Sequence, residues 1–317
     1  MKTSSQLDIV SIGEPMVEFN QLPDDPIRYT QAFGGDTLNC VVAAARLGAK
    51  VAYLTCLGDD VFGQSLLGCL RDEQVLSVGV EVKTGASTGV YFVTHSEEGH
   101  SFSYKRNGSA ASAFCREDLF WPALENTKFF HTSGITLSLN SEMLGVLLDA
   151  AKTVRSNGGA AVFDVNIRPS MWNKRDMTRE ISEIVASMDI VLASEEDSQH
   201  LIGSDSYEQF FDWVLGLGAS AVIFKRGKQG SIYRDAGRTV IQRPFLVDAV
   251  DATGAGDCFA GALMAELANG AVIEEALNFA SMASALACTG YGAIDPLPKR
   301  NMVLRELEKK DSAREIK

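Results

Sequence analysis

From Phe129 onward the sequence alternates short apolar runs with amphipathic stretches, and few folds accommodate that rhythm. Apolar runs at 129–132, 161–165, 190–193 and 221–225 read as buried strands, separated by helical patterns near 141–156, 176–187 and 207–217. Strands of this kind, each followed by a helix, predict an α/β fold with a mainly parallel central sheet flanked by helices on both faces. The earlier chain fits the same plan. Residues 7–12 form an apolar run that stops at Gly13, and 51–57 form another. Asp36 stands where it could cap a helix running through Leu38, Val41, Val42 and Ala45 to a stop at Gly48. A further helix is expected near 62–71, and two more near 257–269 and 273–288.

One stretch breaks the pattern. Residues 90–94 and 101–106 flank a turn at Glu97-Glu98-Gly99 with no helix between them, the signature of a β-hairpin. We read it as part of a small β lid, with parts of about 14–33 and 89–107, attached to a single domain spanning 1–317. The charged run 306–317 reads as a frayed, solvated helix.

The 317 residues are 46% hydrophobic, enough to bury a large core, and the net charge of −12 argues against nucleic-acid binding. Six scattered cysteines form no CxxC pair and the four histidines show no ligand spacing, so free thiols in a reducing compartment are expected. The first ten residues hold no apolar signal core, and no run approaches the ~18 residues of a membrane span. A cytoplasmic protein with no membrane partner is the expectation.

The chemistry concentrates in Asp251-Ala252-Thr253-Gly254-Ala255-Gly256-Asp257, directly before an apolar helix. The small residues let the Gly254, Ala255 and Gly256 amides point at one spot at the helix N-terminus, where the dipole favours an anion. Asp257 sits at the edge of that spot, placed to accept a proton from an attacking hydroxyl. Taken alone, the segment is equally readable as a tight turn with an Asp cap. A dinucleotide-binding turn would need a third glycine and an early strand–turn–helix unit, and both are missing.

This segment resembles the C-terminal signature of the ribokinase/PfkB family of sugar kinases. The stretches 34–39 (Gly-Gly-Asp-Thr-Leu-Asn), 45–48 (Ala-Arg-Leu-Gly) and 58–63 (Gly-Asp-Asp-Val-Phe-Gly) resemble its N-terminal signature. The likeness runs from about Ile9 to Pro296 in the family's order. It implies a ribokinase-like fold and phosphoryl transfer from ATP with Mg²⁺. Asp257 would be the base, the Gly254, Ala255 and Gly256 amides would stabilise the transferred group, and Gly35 and Asn39 would touch the sugar. Lys225, Gly227 and Gly230 match a loop along the nucleotide; Asn166, Ser194 and Asn278 fall on its side as well. Asp251 and Thr253 fall where many members hold a monovalent cation such as K⁺. One departure stands out: Ser194-Glu195-Glu196-Asp197 replaces the common Asn-x-x-Glu, so no direct Mg²⁺ ligand is assigned.

For the sugar, Tyr104 and Arg106 lie two apart on a predicted strand and share a face, with Tyr91 on the partner strand. Arg168 follows a strand end, where ligands gather in open parallel sheets. Two arginines near one pocket point to a substrate carboxylate. These positions resemble the 2-keto-3-deoxygluconate kinase branch, which implies that Gly35, Tyr91, Tyr104, Arg106, Ile135 and Arg168 surround a sugar acid phosphorylated at O6. Kinases for fructose or another neutral sugar share part of this pattern and stay open, as does a sugar- or nucleotide-sensing protein on the same fold. The exposed edges of a β lid suggest a homo-oligomer joined there.

Overall fold

The computed structural model describes residues 6–22, 25–96, 99–172 and 174–315. In chain order the strands are β1 Leu7–Ile12, β2 Met16–Leu22, β3 Asp25–Gly34, β4 Val51–Gly58, β5 Leu76–Lys83, β6 Val90–Ser96, β7 Gly99–Lys105, β8 Thr127–Ser133, β9 Ala160–Asp164, β10 Ile190–Ser194, β11 Ala221–Lys225, β12 Ser231–Asp235 and β13 Thr239–Gln242. The helices are α1 Asp36–Arg46, α2 Val61–Asp72, α3 Trp121–Leu124, α4 Gly134–Leu137, α5 Met143–Ser156, α6 Met177–Val185, α7 Glu195–Ile202, α8 Tyr207–Leu217, α9 Ala255–Ala268, α10 Ile273–Ala287 and α11 Arg300–Glu315.

Nine strands form one sheet in the order β13-β12-β11-β10-β9-β8-β1-β4-β5, and every pairing from β5 to β11 is parallel. Its central strands are buried on both faces, and successive side chains enter opposite cores. Val10, Phe163, Val191 and Phe224 meet helices α5, α6 and α8, whereas Ile9, Val162, Leu192 and Ile223 meet α1, α9 and α10. The α/β class and the parallel sheet expected from the sequence are therefore observed.

Six of these elements were not foreseen, for identifiable reasons; α3 and α4 are four residues each, too short to show a helical periodicity. β5 is an edge strand that is mostly exposed, so it carries no apolar run. β12 and β13 extend the other edge as short antiparallel strands. α7 reads EEDSQHLI and buries only Asp197, Ser198 and Leu201, which leaves no apolar stripe.

The remaining four strands make a second, smaller sheet in the order β3-β2-β6-β7. β2 lies parallel to β6, while the β2–β3 and β6–β7 pairs are antiparallel. Glu18 stands beside Tyr91, and Tyr91 opposite Tyr104, so the three share one face across three strands. Glu97 and Glu98 of the expected hairpin turn lie outside the described residues. Among the described residues, no helix is long and apolar enough to cross a membrane.

Helix α1 is tied down at both ends. Near its start, the Asn39 Nδ2 donates to Asp257 Oδ2 at 2.8 Å. At its end, Arg46 grips both Glu73 oxygens at 2.7 and 2.8 Å and donates to the carbonyls of Ile294 and Leu297, each at 2.8 Å.

Candidate active site

The site forms at the carboxyl ends of the parallel strands, where the glycine turn before α9 meets the start of α1. Gly254 is the N-cap of α9 at φ 74, a left-handed conformation that glycine adopts without cost, and an added Cβ would lie 2.9 Å from the Ala293 carbonyl. The α9 N-terminus therefore begins with no side chain in the way. The three expected amide donors are not equivalent: the Ala255 amide donates to the Ala252 carbonyl at 3.2 Å, a turn bond that an anion would have to share.

Asp257 occupies the first turn of α9 and is half-buried, with one carboxylate oxygen held by Asn39. Burial, then the neighbouring Asp36 carboxylate, push its carboxyl well above the usual range, against the opposing pull of Asn39 and Lys225. Asn39 Oδ1 is buried without a hydrogen-bond partner among the described residues, an acceptor left over beside Asp257.

Asp36 is the residue that sequence reasoning misplaced. Gly35, not Asp36, is the N-cap of α1, and at φ 125 it makes no side-chain cap. A Cβ on Gly35 would fall 2.5 Å from the Glu14 carbonyl, so only glycine fits. Asp36 is instead the first helical residue, and its carboxylate accepts from Asn166 Nδ2 at 3.1 Å. Asn166 is itself one of two non-glycine residues with positive φ among those described, at 32°.

Lys225, at the end of β11, donates to both oxygens of Asp164, at the end of β9, at 2.6 and 2.9 Å. Burial pushes the Asp164 carboxyl up to about 6; burial also opposes the Lys225 ammonium, but Asp164 and more distant carboxylates outweigh it and hold the lysine above its ordinary range. A Cβ on Gly256 would lie 3.3 Å from Lys225 Nζ, which puts the ammonium beside the glycine turn. Asp164 was not singled out in the sequence. Its signal was a carboxylate closing an otherwise apolar strand.

Ser194 caps α7, accepting from the Asp197 amide at 3.2 Å, while its own amide and hydroxyl donate to Asp197 Oδ2 at 2.8 and 2.7 Å. Asp197 Oδ1 takes the Ile167 amide at 2.8 Å, so the shortened carboxylate stitches the ends of β9 and β10 together. Gly227 and Gly230 bound the turn after β11, and Asn278 on α10 accepts from Gln242 Nε2 at 3.3 Å beside β13. Asp251 accepts from the Thr253 amide and hydroxyl at 2.9 and 2.7 Å and from the Gly292 amide at 3.0 Å. Among the described residues, no three His, Cys, Asp or Glu side chains converge as a metal cage.

The second sheet supplies the opposite wall. The Tyr91 hydroxyl donates to the buried Glu18 carboxylate and packs against the Tyr104 ring, with centroids 5.7 Å apart. Tyr104 lies within the electrostatic reach of both Arg168 and Arg106, which pull its phenol down against the stronger upward push of burial. The two arginines differ. Arg106 forms a buried ion pair with Glu14, whereas Arg168 donates to the Ile167 carbonyl at 2.7 Å and has no carboxylate within 4.0 Å among the described residues. Ile135 lies on α4, a single turn following β8. Glu14 and Glu18 escaped sequence reasoning because each is an acid among apolar neighbours, which alone does not reveal its partner.

Comparison with known proteins places this geometry. The profile described as pfkB family carbohydrate kinase matches residues 6–300. A probable fructokinase-4 from Arabidopsis thaliana is 32% identical, covering 93% of this chain and 95% of its own length. A 2-dehydro-3-deoxygluconokinase from Thermoproteus tenax is 30% identical, covering 93% and 92%. An E. coli protein described as a ribokinase II, crystallised with ATP and Mg²⁺, superposes with a TM-score of 0.88 at 27% identity, over 96% of this chain and 99% of its own. The fold and site thus define a sugar kinase of the ribokinase-like α/β class. Within that class the chain belongs to the pfkB family of carbohydrate kinases, which includes proteins that use ATP and Mg²⁺.

Proposed function

We propose that this kinase phosphorylates 2-keto-3-deoxygluconate at O6, with the sugar acid between α1, the strand ends and the second sheet. The observation that carries this reading is Arg168, a guanidinium beside Tyr104 with no carboxylate of its own among the described residues. An unpaired planar fork suits a substrate carboxylate. Gly35, Asn39, Tyr91, Tyr104 and Ile135 would line the sugar, and Asn39 Oδ1 offers an acceptor to a hydroxyl.

Asp257 would take the proton from the attacking hydroxyl. Its burial favours this, because a carboxyl with a raised pKa is a stronger base than a solvated one. Asn39 would keep one oxygen occupied and the other aimed at the sugar. Bound ATP supplies the phosphoryl group, and Mg²⁺ neutralises the charge on its phosphates. The residues present fit that pair. A side-chain-free helix N-terminus beside the Lys225 ammonium suits a polyphosphate. Mg²⁺ keeps several waters and needs few protein ligands, so the phosphates themselves would hold most of it. Asn166, Ser194, Gly227, Gly230 and Asn278 would lie along the nucleotide. Asp251, which accepts from Thr253 and Gly292, would sit with Thr253 beside a K⁺ ion.

The second sheet would act as a lid, excluding water from the transfer. Its exposed Ile27 and Phe102 suit contact with a second copy of the chain. A neutral sugar such as fructose is the second reading, favoured by the Glu14 carboxylate that already neutralises Arg106. A coupled ADP-release screen over sugars and sugar acids tests the choice. Preference for the sugar acid, lost in Arg168→Ala, is the expected result; preference for fructose would replace it.

A further inference from the structure

We infer that Glu14 is a specificity-determining residue, one that sets through Arg106 how much positive charge the pocket offers to an anionic substrate group. The inference rests on the sugar-acid reading above and deepens it. Glu14 follows the end of β1, and its side chain is 1% exposed against 10% for Arg106. The carboxylate reaches both ends of the β6–β7 hairpin. Ahead of β6, a Cβ on Gly89 would lie 2.7 Å from Glu14 Oε1. Beyond β7, Glu14 pairs with Arg106 and accepts from Ser109 Oγ at 2.5 Å. Arg106 Nη1 points to the Met171 sulfur at 3.4 Å, a soft and weak acceptor.

A paired guanidinium and carboxylate act on a third charge as a dipole rather than a monopole, so their pull on a substrate anion is small. Arg168 is exposed and has no such partner among the described residues, so its charge is screened by water but not cancelled by a neighbouring carboxylate. Of the two arginines, one is offset by a carboxylate at its side and the other is not. Glu14 is the residue that makes the difference. Removing its charge alone would leave Arg106 a buried cation, and the substrate carboxylate would become its natural counter-ion. Glutamine keeps the shape and can still accept from Ser109.

The test compares wild type, Glu14→Gln, Arg106→Ala and the double variant on 2-keto-3-deoxygluconate and fructose. The ratio of kcat/KM for the sugar acid over fructose should rise about tenfold in Glu14→Gln, the effect of ~1.4 kcal/mol. The gain should vanish in the Arg106→Ala background. The melting temperature of ligand-free Glu14→Gln should fall, and saturating sugar acid should restore more of it than fructose does. An unchanged or lower ratio, or a gain that survives without Arg106, overturns the inference. If wild type turns over fructose alone, the sugar-acid reading falls separately. Glu14 is then judged by the sugar acid as inhibitor of fructose phosphorylation: a tenfold lower inhibition constant in Glu14→Gln supports its role, and an unchanged constant overturns it.

Discussion

The strand-end floor and the second sheet hold their charged groups in contrasting ways. On the floor, Asp36, Asp164, Asp257 and Lys225 come from four separate elements, and each carboxylate is steadied by a donor of limited reach, Asn166, Lys225 or Asn39. Three acids gather around one ammonium, so the region keeps negative charge and a strained proton balance. In the second sheet and its junction, Glu14 is offset by the Arg106 charge and Glu18 is held by a hydrogen bond from the Tyr91 hydroxyl, so each acid is fixed by a local partner. A site that performs proton transfer benefits from unresolved electrostatics, whereas one that recognises a substrate benefits from fixed donors whose charge is already set.

The contrast is broken most severely at Asp257. Asp257→Asn should lower kcat by at least ~10²-fold while ATP binding persists, as loss of a general base does. Turnover within a few-fold of wild type would remove Asp257 from that role. Next comes Arg168→Ala, expected to raise KM for the sugar acid by ~10- to 10²-fold through loss of a charged hydrogen bond, with a much smaller change for fructose. Equal weakening toward both sugars would show that the fork does not read a carboxylate.

Asp36→Asn sharpens the comparison on the floor side. The Asp36 charge raises the Asp257 pKa, so removing it lowers that pKa. Activity requires the deprotonated base and falls as pH drops through its pKa; the acidic limb of the rate profile should therefore shift to lower pH. A limb that stays put would mean that the two carboxylates are not coupled in the working enzyme. The smallest effect is dynamic. Hydrogen exchange across the β6 and β7 amides should slow when sugar is added, while the β9 to β11 amides, already buried, should change little. Unchanged exchange in β6 and β7 at saturating sugar would count against a closing lid.

Sequence legibility followed the range of the interactions. The parallel sheet was readable because each buried strand announces itself locally, as 190–193 and 221–225 do. The glycine turn was readable because an open helix N-terminus needs small residues in succession. The Asp164–Lys225 pair was not, since it joins residues 61 positions apart through strand order that no local pattern encodes. Asp36 was misread for a related reason: a carboxylate before an apolar helix looks like a cap, and only the positive φ of Gly35 moves the helix start back by one. Helix α7 stayed hidden because its acidic sequence is held by a capping box rather than by an apolar stripe.

The double anchoring of α1 has a mechanical consequence. Its eleven residues make a rod about 16 Å long. One end is joined to Asp257, and the other to the 294–297 segment, whose neighbour Ala293 abuts the glycine turn. Because the Ile294 and Leu297 carbonyls are clamped by the same guanidinium that closes on Glu73, the rod cannot pivot about either end without breaking several short bonds. The Asn39 end of α1 and the glycine turn before α9 are therefore braced into one frame. On the proposed reading, a closing stroke would fall to the second sheet, and substrate capture and the alignment of base with phosphate would be separate mechanical tasks in separate parts of the chain.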